Sequence, residues 1–158
     1  MSINSKNKGN IGERAICKIF KERWPEHDWM RVPASGARLG QSNKIKYSAI
    51  EENVKEVLSG DIICPSNFKF SVESKNYADI SFWDIFNDSS DLHSWMNQCY
   101  EDAAFANKYP LLIVKINRHK HFAATTCEMD GYIFEHRGFY FYNLDDLLKL
   151  EDGWWFDL

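Results

Sequence analysis

The octapeptide Phe68-Lys69-Phe70-Ser71-Val72-Glu73-Ser74-Lys75 constrains this chain more than any other stretch. Its side chains alternate with the period of two that defines a β-strand. Phe68, Phe70 and Val72 fall on one face, and Lys69, Ser71, Glu73 and Lys75 on the other. Such a strand buries its apolar face in a core and holds an acid and a lysine side by side on a rigid element. Twelve residues before Glu73 stands Asp61, within Gly60-Asp61-Ile62-Ile63, a second short strand pattern. The link Cys64-Pro65-Ser66-Asn67 carries turn chemistry, so the spacing predicts Asp61 and Glu73 facing each other across a hairpin. An acid–acid–lysine set of this kind has two readings: a cation site for phosphodiester chemistry, or a surface salt bridge on a strand.

A chain of 158 residues is long enough for a proper core, and one domain over 1–158 is expected. Its longest apolar runs, such as Leu111-Leu112-Ile113-Val114, are far too short to span a membrane. The polar start has no apolar stretch of the secretory kind. Cys17, Cys64, Cys99 and Cys127 are scattered without a CxxC pair. Reduced thiols in a cytoplasmic setting are therefore expected, and no membrane partner. The net charge of −4 hides an asymmetry. Residues 1–50 carry ten Lys and Arg against four Asp and Glu, and residues 51–158 carry nine against nineteen. Either surface charge is merely uneven, or the first third of the chain builds a basic surface. A polyanion would bind such a surface locally and with strong salt dependence.

Asn10 reads as the N-cap of a helix over 11–24 that Pro25 ends. Ile11, Gly12, Ala15, Ile16, Ile19 and Phe20 share one arc of it, and Arg14, Lys18 and Lys21 the opposite side. Glu13 stands at the edge of the apolar arc, where it either looks into a cleft beside a sheet or serves as a first-turn acid favoured by the helix dipole. A strand is expected at 28–32, a loop at 33–37, a polar basic stretch at 38–50 and a short helix at 50–58. A short helix at 80–86 would lie over the sheet. A long helix at 91–107 would bury Leu92, Trp95, Met96, Cys99, Ala103 and Ala106. Strands follow at 111–116 and 122–126, an edge hairpin from 132–134 and 139–142, and a short helix capped by Asn143. The aromatic end Trp154-Trp155-Phe156 suits core closure, a subunit interface or base stacking. This order describes an α/β chain of α+β type, a mixed central sheet flanked by helices.

Four elements taken in order carry a resemblance: Gly9-Asn10-Ile11-Gly12-Glu13-Arg14, Arg31-Val32-Pro33-Ala34-Ser35-Gly36, Gly60-Asp61 and Glu73-Ser74-Lys75. Together they resemble the PD-(D/E)xK nuclease superfamily, and within it the Holliday-junction resolvases of archaea and phages. The likeness covers about residues 9–117. It departs in two places: Gly precedes Asp61 where many members have Pro, and the stretch between Gly36 and Asp61 is longer than in the compact resolvases. Nucleases of the superfamily with other substrates also vary there.

The resemblance implies a restriction-endonuclease-like fold and a Mg²⁺-dependent endonuclease, with Mn²⁺ able to substitute. Asp61 and Glu73 would bind the metal, with the Ser74 backbone carbonyl as a further ligand and Glu13 completing the acidic shell directly or through water. Carboxylates suit Mg²⁺, which takes few protein oxygens. Lys75 would orient the attacking water and stabilise the charged transition state, with general base as a second role. Ser35 would bond the scissile phosphate and Gly36 would let backbone approach it; Ser35 also reads as an ordinary turn serine. Gln98 would be an accessory, or simply an exposed helical glutamine. Arg14, Lys18, Arg31, Arg38, Lys44 and Lys46 would contact DNA phosphates, which position but do not specify. The expected partners are a four-way DNA junction and a second copy in a homodimer. The setting would be the cytoplasm, of the host cell if the chain is phage-encoded. A nuclease for flaps, single strands or duplex, and a non-catalytic DNA-binding module, are the alternatives.

Overall fold

Helix α1 (Ser5–Arg23) leads into a two-stranded antiparallel ribbon of β1 (Met30–Arg31) and β2 (Ile62–Ile63). Strand β3 (Phe70–Tyr77), a 3-10 turn at Phe82–Phe86, helix α2 (Asp91–Phe105) and strand β4 (Tyr109–Ile116) follow. The chain ends with β5 (His121–Thr125), β6 (Phe134–His136), β7 (Phe139–Asn143) and two one-turn helices, α3 (Leu144–Leu147) and α4 (Asp152–Trp155). This computed structural model describes residues 5–33 and 59–157. The expectations for Ser35, Gly36, Arg38, Lys44, Lys46 and a helix at 50–58 lie outside the described residues.

Strands β3 to β7 form one mixed sheet in the order β3-β4-β5-β7-β6. Only β3 and β4 run parallel, with Val72 opposite Leu111 and Glu73 opposite Leu112. A parallel pair needs a crossover, and the 3-10 turn with α2 supplies it. Helices therefore lie on both faces, as the sequence pattern implies. On one face Phe70, Val72, Leu111, Ile113 and Ala123 pack with Ile16 and Phe20 of α1 and with Trp24 just after it. On the other Leu112, Val114, Ile116 and Ala124 pack with Leu92, Trp95, Met96 and Cys99 of α2. This second layer changes the reading of β3. Its polar face is not left to solvent: Ser71 and Glu73 are buried.

Three expectations need correction. Asn10 does not cap α1, which begins at Ser5; its side-chain oxygen instead accepts an N–H from Arg31 at 2.5 Å. The helix is also rolled toward the Glu13 edge of the predicted arc: Ile11 is 51% exposed, while Glu13, expected at that edge beside a cleft, is 7% exposed. Contact with β3 sets this roll, because Gly12 lies directly against Asn76 and Ser74. Finally, Asp61 and Glu73 do not form a hairpin ladder. β2 pairs with β1, and Asp61 reaches β3 by its own hydrogen bonds.

The 3-10 turn leaves Phe82, Trp83 and Phe86 exposed and seats only Ile85 against the sheet. Asn143 occupies the cap position of α3 without a side-chain cap bond. Of the three readings of the aromatic end, the fold places Trp155 and Phe156 in core closure. Both are buried against Phe20, Trp24 and Phe68.

Candidate active site

β3 is an edge strand of the main sheet, so its outer rim is open to a partner other than a strand. Asp61 takes that rim. Its N–H donates to the Val72 carbonyl at 2.7 Å, and its carboxylate accepts the Ser74 N–H at 2.9 Å. Gly60 makes the approach feasible. Its φ of +72° is left-handed, and a Cβ there would run into the Val72 carbonyl oxygen. In a strand a residue's N–H and C=O point the same way, so the Ser74 carbonyl also faces this rim, beside Asp61.

Glu73 and Lys75 lie one residue either side of Ser74 and so project onto the α2 face. Lys75 Nζ donates to Glu73 Oε1 at 2.7 Å and to Gln98 Oε1 of α2 at 3.1 Å. Glu13 comes from the opposite face, on α1, and its Oε2 accepts from Arg31 Nε at 2.8 Å. The three acids thus reach one rim from three directions: Glu73 from one face of the sheet, Glu13 from the other and Asp61 from the edge. With Lys75, Ser74 and Gln98 they line a single open cleft of about 610 Å³.

The electrostatics are those of an acid cluster short of positive charge. Burial, aided by the nearby Asp61 charge, pushes the Glu73 carboxyl up to about 8 against the opposing pull of Lys75. Burial works against the Lys75 charge as well, but Glu73 and Asp61 outweigh it and hold the ammonium above its ordinary range. Oxygen donors alone, from carboxylates and a strand carbonyl, suit a hard divalent cation. Among the described residues no three Asp, Glu, His or Cys side chains gather closely enough to hold an ion by themselves.

Of the remaining candidates, Arg14 and Lys18 are exposed on α1, and Lys18 lies 3.8 Å from Glu22. Arg31 is turned into the site. Sequence reasoning missed Lys8, Asn76 and Tyr77, which line the same cleft. Asn76 donates to the Lys8 carbonyl at 3.0 Å and so ties the first turns of α1 to the acid-bearing strand. The period of β3 contained a signal for Tyr77, since it continues the face of Glu73 and Lys75. Nothing in the sequence marked Lys8.

An edge strand bearing E-x-K, an aspartate bonded to its rim and a glutamate from the first helix define the PD-(D/E)xK class. Residues 4–136 match the family described as "Phage putative PDDEXK endonuclease". The chain also shows 34% identity over 124 residues to "Protein D14" of Escherichia phage T5, covering 75% of this chain and 68% of that one. No solved structure matches it. This chain belongs to the phage PDDEXK endonuclease family. Among the described residues no helix is long and apolar enough to cross a membrane.

Proposed function

We propose that this protein is a metal-dependent DNA endonuclease that resolves four-way junctions by paired nicks. The observation that carries the nuclease reading is the bond between Asp61 and the Ser74 N–H, beside a buried Glu73 and its half-buried partner Lys75 in an open cleft. A plain surface salt bridge has no reason to sink an acid against an acid. A module that only binds DNA gains nothing from concentrated negative charge beside phosphate.

When bound, a divalent cation such as Mg²⁺, or Mn²⁺ in its place, supplies charge for the phosphate oxygens and acidity for the attacking water. Asp61, Glu73 and the Ser74 carbonyl would hold it, with Glu13 in the surrounding shell. Asp61 is fixed for this by its two bonds to β3 and needs no reordering when DNA arrives. Lys75 is kept protonated by the acids around it, so its work is to orient the water and offset charge that builds at phosphate. Gln98 holds Lys75 in place from α2. Junction selectivity is supported by the resemblance to resolvases, and symmetric nicks call for a twofold dimer carrying two sites.

The test offers labelled four-way junctions, flaps and linear duplex with Mg²⁺, with EDTA and with Asp61→Asn. Paired symmetric nicks confined to junctions are expected. Equal cleavage of linear duplex would remove the resolvase reading, and activity that survives Asp61→Asn would remove the site.

A further inference from the structure

The residue pattern assigns Arg31 to the DNA backbone, but its surroundings assign it elsewhere. Its guanidinium is largely covered and two donors are already engaged: Nε with Glu13 Oε2 at 2.8 Å, and Nη2 with Asn10 Oδ1 at 2.5 Å. Both acceptors belong to α1. The backbone around Arg31 belongs to the other half of the site. Arg31 is paired with Ile62 across the ribbon, and the next residue, Val32, donates its N–H to the Asp61 carbonyl at 2.8 Å. The two-residue segment Arg31-Val32 thus grips both acids, one by a side chain and one by the main chain.

We infer that Arg31 is a positioning residue that fixes Glu13 against Asp61, and not a phosphate contact. The inference rests on the nuclease reading above. A planar fork that bonds two acceptors three residues apart on one face of α1 sets both the rotation and the distance of that helix, which a point charge cannot do. Pulling Arg31 toward a phosphate would give up both of its bonds to α1, the one to Glu13 and the one to Asn10.

The experiment uses the full chain as wild type, Arg31→Gln, Arg31→Lys and Asn10→Ala, each first checked for a cooperative melt. Mn²⁺ binding without DNA is measured by the signal of the free ion. Junction binding in EDTA is measured across a salt series. Losing a partner that orients a metal-site carboxylate lowers metal affinity by roughly 10–100-fold, and that loss is expected for Arg31→Gln. Asn10→Ala is expected to fall the same way by less, and Arg31→Lys to recover part of the loss. The salt slope of DNA binding is expected to stay unchanged, whereas a lost phosphate contact lowers it by about 1.

Unchanged Mn²⁺ affinity in Arg31→Gln with a shallower salt slope would overturn the inference. If Arg31→Gln does not fold, Asn10→Ala decides: unaltered Mn²⁺ affinity in that variant overturns the positioning role. A wild type that binds neither Mn²⁺ nor Mg²⁺ would instead sink the nuclease reading on which this one rests.

Discussion

Glu73 is held where a carboxylate charge is least welcome, and its titration reports the site directly. Its carboxyl rises from an ordinary value near 4.5 to about 8, through burial first and the Asp61 charge second. Between those values the folded protein keeps a proton that the unfolded chain has released. The native state therefore binds more protons, and the stability of the metal-free protein falls as pH rises through that window. Glu73→Gln carries no such group. It is expected to match wild type near the bottom of the window, to exceed it near the top, and to lose cleavage by roughly 10²–10³-fold, as when one group that stabilises charge is removed. Urea midpoints across the window check this, and parallel pH profiles for the two proteins would contradict it. Because the ionised form is the ligand, cation binding should release a proton, and affinity should climb toward the upper end of the window.

At the scale of elements, two glycines decide how closely the pieces of the site approach. Gly60 has a left-handed backbone that proline cannot adopt, and its missing Cβ leaves room for the Val72 carbonyl. Gly60→Ala is expected to destabilise by ~1–3 kcal/mol and to weaken Mn²⁺ binding, because Asp61 must move off the rim. Full metal affinity in a folded Gly60→Ala protein would count against this. Gly12 works at the other contact, where a Cβ would already stand 3.0 Å from the Asn76 Cβ. Gly12→Leu raises helix propensity by about 1 kcal/mol, yet it should lower stability by driving α1 from β3. A higher melting temperature for that variant would refute the close contact.

Such contacts explain what the sequence made legible. The strand period placed Glu73 and Lys75 on one face, and the apolar stripe of α2 was readable residue by residue, since both are local repeats. The Asn10 cap, the roll of α1 and the supposed hairpin misled because tertiary partners decide them. Arg31 claimed the Asn10 side chain, Asn76 set the roll, and β1 took the partner strand of Asp61.

For the molecule as a whole, the strand that carries Glu73 is anchored at its far end by the last residues described. Lys69, just before β3, donates its N–H to the Trp155 carbonyl at 2.9 Å and its ammonium to the Gly153 carbonyl at 2.6 Å. Asp157 N–H donates to Asn67 at 2.8 Å. Asp152 takes N–H groups from both Arg23 and Trp24 at the end of α1, at 2.8 and 3.0 Å. The aromatic end therefore joins α1 and β3, the two elements that supply Glu13 and Glu73. Two tryptophans allow a controlled comparison. Trp155 is wholly buried, and Trp155→Ala should cost ~3–5 kcal/mol through the cavity it leaves. Trp83 is 72% exposed, and Trp83→Ala should stay within about 0.5 kcal/mol. A domain's whole stability is on the order of 5–15 kcal/mol, so the first change alone should bring the protein close to unfolding at moderate temperature. Metal binding should be lost with it, because the acids come from separate elements and converge only in the folded chain. The binding should return, in proportion to the folded fraction, as temperature is lowered or cation added, since the cation binds the native state alone. Equal urea midpoints for the two variants would show that the aromatic end does not hold the site together.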